Sequence, residues 1–234
     1  MKVAVLNFSG NVGKTTVSAH LLKPRMPNAS VFSVESINSG ADSIGLEIEK
    51  VRGAEYGDLI NSIMTIDSAI VDIGASNVES FLKKMNQYNG SHEEFDYFLV
   101  PVTKENKVLQ DTINTLEYLR TIGVSKEKVK IIFNKIDTDD NIEHDFAPLF
   151  GYVKHTKSCT ANIKSAIKAN EVYELLKKAN KSMSDINSDT TDYRAKLKTV
   201  NSDEKNQCLN MIAVKRLAVS ANENLDVVYA SIFK

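Results

Sequence analysis

An octapeptide, Ser9-Gly10-Asn11-Val12-Gly13-Lys14-Thr15-Thr16, stands directly behind a short valine-containing run at Lys2–Asn7. No other feature restricts the fold of this chain as much. A buried strand that runs into a glycine-containing loop and then a helix opening at Gly13-Lys14-Thr15 turns backbone N–H groups and a helix N-terminus toward one point. That geometry suits a phosphate. In it, the Lys14 ammonium bridges the β- and γ-phosphates and the Thr15 hydroxyl ligates Mg²⁺. The spacing departs from G-x-x-x-x-G-K-[ST]: Phe8 holds the first glycine position and the glycine comes two residues later, at Gly10.

Four further apolar runs follow, at Val31–Val34, Ser68–Ile73, Tyr97–Val102 and Val129–Phe133. A helix is expected over Gly13–Leu22, stopped by Pro24 and Pro27, and Ser36–Asp42 reads as a loop at the end of the second strand. Val108, Ile113, Leu116 and Leu119 recur at near-helical spacing, with Gly123 as a stop. Strands separated by helices predict an α/β fold: a doubly wound, mostly parallel sheet with helices on both faces. Ligands then sit at the carboxyl ends of the strands. Residues 1–180 read as the phosphate-loop domain. Within it, Ile163–Ala179 is expected to be helical. Residues 181–234 read as a linker, Ser182–Asp192, followed by helices at Lys205–Val219 and Leu225–Phe233 packed on the same domain.

The chain has 234 residues, 42% of them hydrophobic, enough to bury a core without staples. Two cysteines, Cys159 and Cys208, make neither a disulfide framework nor a metal site. No run of about 18 apolar residues is present, and MKVAVLNFSG reads as a strand and not a signal peptide. A cytoplasmic protein is expected. Charge is uneven: residues 151–216 hold 13 Lys/Arg against 7 Asp/Glu, a balance of +6, while residues 1–150 hold 15 against 21, a balance of -6. The basic region is either a solvated helix surface or a nonspecific DNA contact, and no aromatic interleaving sharpens the second reading.

Asp72 ends the apolar run AIVDIG, where a Walker B carboxylate would hold Mg²⁺ directly or through water. The phosphate loop followed by an apolar strand ending in Asp resembles the ParA/MinD superfamily of deviant Walker-A ATPases over about residues 1–135. NFSGNVGKTT, VESIN, VDIGASNVE and GSHEEFDYF resemble the plasmid-encoded StbB family of stability and conjugation operons, most densely over residues 1–120. The resemblance implies ATP and Mg²⁺ as cofactors and a role in plasmid maintenance or conjugative transfer. It also implies a DNA-binding partner from the same operon and a weak nucleotide-dependent homodimer.

Two positions depart from the superfamily. Its signature lysine falls on Ser9. Its water-positioning Asp falls on Ile37, two residues beyond Glu35, with Glu35, Asn38 and Asp42 as the nearest substitutes. Loss of both charges removes electrostatic stabilisation and predicts slow hydrolysis, carried by Lys14, Asp72 and Glu35. Asn134-Lys135-Ile136-Asp137 spells N-K-x-D, the guanine-reading tetrad, which keeps GTP open as the alternative nucleotide. The companion D-x-x-G is absent, because Asp72 is followed three residues on by Ala75. Asn134 alone reads as a base contact beside adenine. A GTP-binding switch and a non-hydrolysing adaptor for DNA or protein stand as the competing functions.

Overall fold

The computed structural model describes residues 1–35, 49–51 and 55–233. Among these, seven strands form one sheet: β1 (Lys2–Val5), β2 (Ser30–Val34), β3 (Glu49–Val51), β4 (Ala69–Ile73), β5 (Tyr97–Val102), β6 (Val129–Ile136) and β7 (Ala166–Lys168). Their spatial order is β3-β2-β4-β1-β5-β6-β7 and every pairing is parallel. The first helix, α1 (Lys14–Thr16), continues as a π-helical stretch, Val17–Leu22, and a 3-10 turn, Lys23–Arg25. Then come α2 (Tyr56–Met64), α3 (Ala75–Gln87), α4 (Asn106–Thr121), α5 (Ile142–Asp145) and α6 (Ala147–Thr156). The chain ends with α7 (Val172–Lys178), α8 (Met183–Ser188), α9 (Tyr193–Lys196) and α10 (Ser202–Phe233).

Alternation along each strand divides the core in two. Ala4, Leu6, Phe32, Val71, Phe98 and Val100 point to one face, under α2, α3, α4 and α6. Val3, Val5, Val31, Ile70, Leu99 and Ile132 point to the other, under the π-helical stretch, α7, α8 and α10. Helices therefore cover both faces, which is why the strands read as continuous apolar runs. The doubly wound parallel sheet is as expected.

Several local expectations differ. The 163–179 stretch is not one helix: Ala166–Lys168 docks as β7 beside β6, where Phe133 N–H donates to Ser165 O at 3.0 Å and Ala169 N–H to Ile136 O at 2.9 Å. Pairing the open edge of β6 outweighs helix propensity there. The segment read as a linker holds α8, opened by a reciprocal capping box between Ser182 and Asp185 and anchored by buried Met183 and Ile186. The two helices expected at the C-terminus are one, α10. The first helix does end at Leu22, but its second half is π-helical, with Lys23 N–H bonded back to Ser18 O, and Pro24 follows inside a 3-10 turn. The loop expected at Ser36–Asp42 lies outside the described residues.

Candidate functional site

β1 lies in the middle of the sheet, and in its register with β4 Val5 pairs with Asp72. The carboxyl end of β1 therefore delivers the loop beside the Asp72 carboxylate. Asn7 turns the chain. Its amide nitrogen donates to Pro101 O at 2.9 Å and Thr112 Oγ1 at 2.7 Å, while its Oδ1 accepts Ser9 N–H at 2.8 Å. Phe8 N–H donates to Thr115 Oγ1 at 3.1 Å. Two threonines of α4 thus brace the entry to the loop.

Gly10 to Gly13 leave their backbone N–H groups without acceptors among the described residues. Asn11 and Gly13 have φ of 57° and 86°, a left-handed pair of turns that makes the loop concave. Gly13 meets two demands at once. Its φ disfavours a side chain, and a Cβ there would lie 2.0 Å from Asn134 Nδ2. Asn134 closes the loop from β6, its Nδ2 donating to Val12 O at 2.7 Å and its Oδ1 accepting Lys135 N–H at 2.9 Å.

Lys14 is buried and folded back on the loop, its ammonium donating to Ser9 O at 2.7 Å and Asn7 O at 3.2 Å. Burial lowers its pKa to about 8, and the nearby Asp72 opposes the shift. Burial raises the Asp72 pKa to about 6, against hydrogen bonding from Thr15 and the charge of Lys14, and the charge of Glu35 adds to the rise. Glu35 keeps a buried Oε2 with no hydrogen-bond partner. A hydroxyl, a desolvated carboxylate and an unsatisfied carboxylate oxygen are the hard oxygen donors that Mg²⁺ takes, so the residues fit such an ion. Among the described residues no group of three His, Cys, Asp or Glu side chains gathers elsewhere to hold a metal.

Of the sequence-derived site residues, Ser9, Gly10, Asn11, Val12, Gly13, Lys14, Thr15, Thr16, Glu35, Asp72 and Asn134 all lie at the carboxyl ends of β2, β4 and β6, on the loop that follows β1, or on α1. Ile37, Asn38 and Asp42 lie outside the described residues. Asp137 stands apart: its carboxylate is exposed and faces Lys104 Nζ at 3.7 Å, while Lys104 also holds Asp140 at 2.6 Å. The basic segment 151–216 spreads from α6 to the first half of α10.

No protein-family model matches the chain, and no curated protein matches it in sequence. The solved MinD cell division protein of Aquifex aeolicus matches with a TM-score of 0.56 at 13% identity, covering 100% of this chain and 97% of its own. The chain has the MinD fold. The Pyrococcus furiosus cell division ATPase MinD shares it, with a TM-score of 0.52 and 11% identity over 96% of this chain and 98% of its own. So does a Borrelia burgdorferi protein assigned to plasmid partition and bound to AMPPNP, with a TM-score of 0.51 and 13% identity over 91% and 97%. At these identities the likeness is one of fold. Among the described residues no helix is long and apolar enough to cross a membrane.

Three residues that brace the site, and a fourth at the far end of the helix that leaves it, cannot be picked out from the sequence. Asn7 reads as the end of a strand, and its partners lie 94 and 105 positions away. Thr112 and Thr115 lie buried on α4, whose apolar spacing marks the helix but not these two hydroxyls. Arg25 closes the π-helical stretch, donating to His20 O at 3.2 Å and Leu21 O at 3.1 Å, and reaches α10 at Asp226 Oδ1, 2.6 Å away.

Proposed function

We propose that this chain is a nucleotide-dependent switch of the ParA type. It binds ATP with Mg²⁺, hydrolyses it slowly, and acts in plasmid stability, partition or conjugative transfer beside a DNA-binding protein of the same operon. The observation that carries the reading is the convergence of Lys14, Thr15 and Asp72 on a loop whose N–H groups from Gly10 to Gly13 are unclaimed. Lys14 is held there at a desolvation cost by two backbone carbonyls, an arrangement ready to be exchanged for phosphate oxygens. Thr15 and Asp72 would hold the Mg²⁺, which neutralises phosphate charge when bound. Glu35, with its unsatisfied oxygen, would accept a hydrogen bond from a water at the end of β2.

Ser9 carries no charge to a second subunit, which supports slow turnover and weak nucleotide-dependent pairing. The StbB-like motifs support the plasmid role, and the basic segment 151–216 supports a nonspecific DNA contact. GTP is the less favoured nucleotide, because Asp137 is engaged with Lys104.

Thermal melts with ATP·Mg²⁺, GTP·Mg²⁺ and buffer test the core of this. A ligand at 100-fold over its Kd adds about 2.7 kcal/mol to native stability. ATP·Mg²⁺ should raise the melting temperature of the unmodified protein and not of Lys14→Ala. An equal rise in both proteins would remove the phosphate-loop reading, and a rise with GTP alone would promote the guanine switch.

A further inference from the structure

The 32-residue helix α10 packs on the core of the second sheet face through Val214, Ala218, Ala221, Leu225, Val228 and Ile232. Its opposite face does not follow the usual polar pattern. Leu209, Ile212, Arg216, Val219, Glu223 and Val227 recur every three or four residues and fall within about 80° of the helix circumference, directly away from the core. Leu209, Val219 and Val227 are 53%, 60% and 56% exposed. The ion pairs that α10 makes among the described residues, Arg25–Asp226 and Lys215–Asp189, leave Arg216 and Glu223 out.

The stripe is symmetric about its own middle. Arg216 and Glu223 are equally far from the midpoint between Val219 and Ser220, and so are Ile212 and Val227. Two copies of the helix laid antiparallel across a two-fold axis at that midpoint would face Arg216 with Glu223 of the second copy, twice. They would also face Ile212 with the second copy's Val227, twice, and bring the two Val219 side chains together at the axis. An isologous contact demands this self-complementarity of charge and shape, and one surface supplies both halves. We propose that the outer face of α10 is a docking surface for a second copy of this chain, independent of nucleotide.

The face from Leu209 to Val227 is about 27 Å long. The contact is smaller than a standard interface, so the dimer is weak, with a Kd on the order of 10–100 μM. The paired charges set orientation and register more than affinity.

Sedimentation velocity without nucleotide, from about 5 to 200 μM, tests the proposal across the range of weak dimers. The unmodified protein should shift from monomer to dimer with concentration. Arg216→Glu and Glu223→Arg should each stay monomeric, because each places like charges opposite one another. An equimolar mixture of the two should dimerise, since both cross-contacts then join opposite charges. Val219→Asp should stay monomeric alone and in mixtures. All three substituted positions are exposed on one helix, so circular dichroism should be unchanged and a loss of dimer cannot be a loss of fold. Three outcomes overturn the proposal: a monomer at every concentration, a dimer indifferent to Arg216→Glu and Val219→Asp, or association that appears only with ATP·Mg²⁺ and vanishes in Lys14→Ala. The last would place the interface at the phosphate loop.

Discussion

The side-chain amide of Asn134, on β6, donates to the carbonyl oxygen of Val12 at 2.7 Å, and the same nitrogen stands where a Cβ on Gly13 would be, 2.0 Å from it. One side chain thus holds the crest of the phosphate loop from a strand two places away in the sheet. Gly13→Ala should therefore abolish the nucleotide-induced rise in melting temperature. It should destabilise the protein by at least about 1–2 kcal/mol, from the left-handed backbone alone. Adding Asn134→Ala should relieve the clash and leave the backbone cost. A Gly13→Ala protein that binds nucleotide normally would show that the loop is free of Asn134.

Asn134→Ala by itself leaves Val12 O without its side-chain donor, at a cost of about 1–3 kcal/mol for a buried acceptor. Affinity should fall for ATP and GTP alike, because the loop loses its brace. Isothermal titration decides between this and base reading: a loss confined to one nucleotide would assign Asn134 to the base.

Asp72→Asn should stabilise the nucleotide-free protein by about 1–3 kcal/mol at neutral pH, since it removes a desolvated carboxylate whose pKa is pushed up to about 6. It should at the same time weaken the dependence of nucleotide binding on Mg²⁺. Urea melts and titrations at varied Mg²⁺ separate the two effects. A less stable Asp72→Asn protein would mean that the carboxylate serves the fold more than the ion.

His20 gives the pH dependence. Burial lowers its pKa to about 4 from the usual 6.5, its Nδ1 has no partner, and its ring packs on Tyr173 at 5.6 Å. A depressed pKa means that the stability tied to the neutral ring is complete above pH 6.5. It is drained as the unfolded chain takes up protons and is gone below about 4. The amount is about 3 kcal/mol. His20→Leu should accordingly lose less stability than the unmodified protein between pH 7 and pH 4. Parallel losses in both proteins would show that His20 plays no part in acid unfolding.

Asp137→Ala should leave both nucleotide affinities within about twofold and change stability by under about 0.5 kcal/mol, because its contact with Lys104 is an exposed ion pair. Tight GTP binding that disappears in this variant would reverse the choice of nucleotide.

The sequence was most legible where chemistry and backbone coincide. A strand ending in a glycine-containing loop with Lys14-Thr15 can be read in one dimension, and so can an apolar run ending in Asp72. The parallel sheet follows from apolar strands separated by helices. What resisted reading depends on distant partners. β7 is three residues long and exists because β6 offers an edge, a fact absent from Ala166–Lys168 itself. The polar stretch Ser220–Asn224 suggested a break in the last helix, yet buried Ala218, Ala221 and Leu225 carry one continuous helix across it. The Ser182–Asp185 cap stands in a stretch so rich in Ser, Asp and Thr that it reads as a linker.

Arg25 has a consequence for how the molecule can be worked. Its guanidinium is a rivet through two segments: Nη1 holds the last carbonyls of the loop helix, at His20 and Leu21, while Nε and Nη2 hold Asp226 and Asn222 O on α10 at 2.6–3.2 Å. The helix that begins at Lys14 and the helix that ends the described chain share one restraint. Peeling either helix from the sheet breaks bonds of the same guanidinium, so the two should come free together and not one at a time.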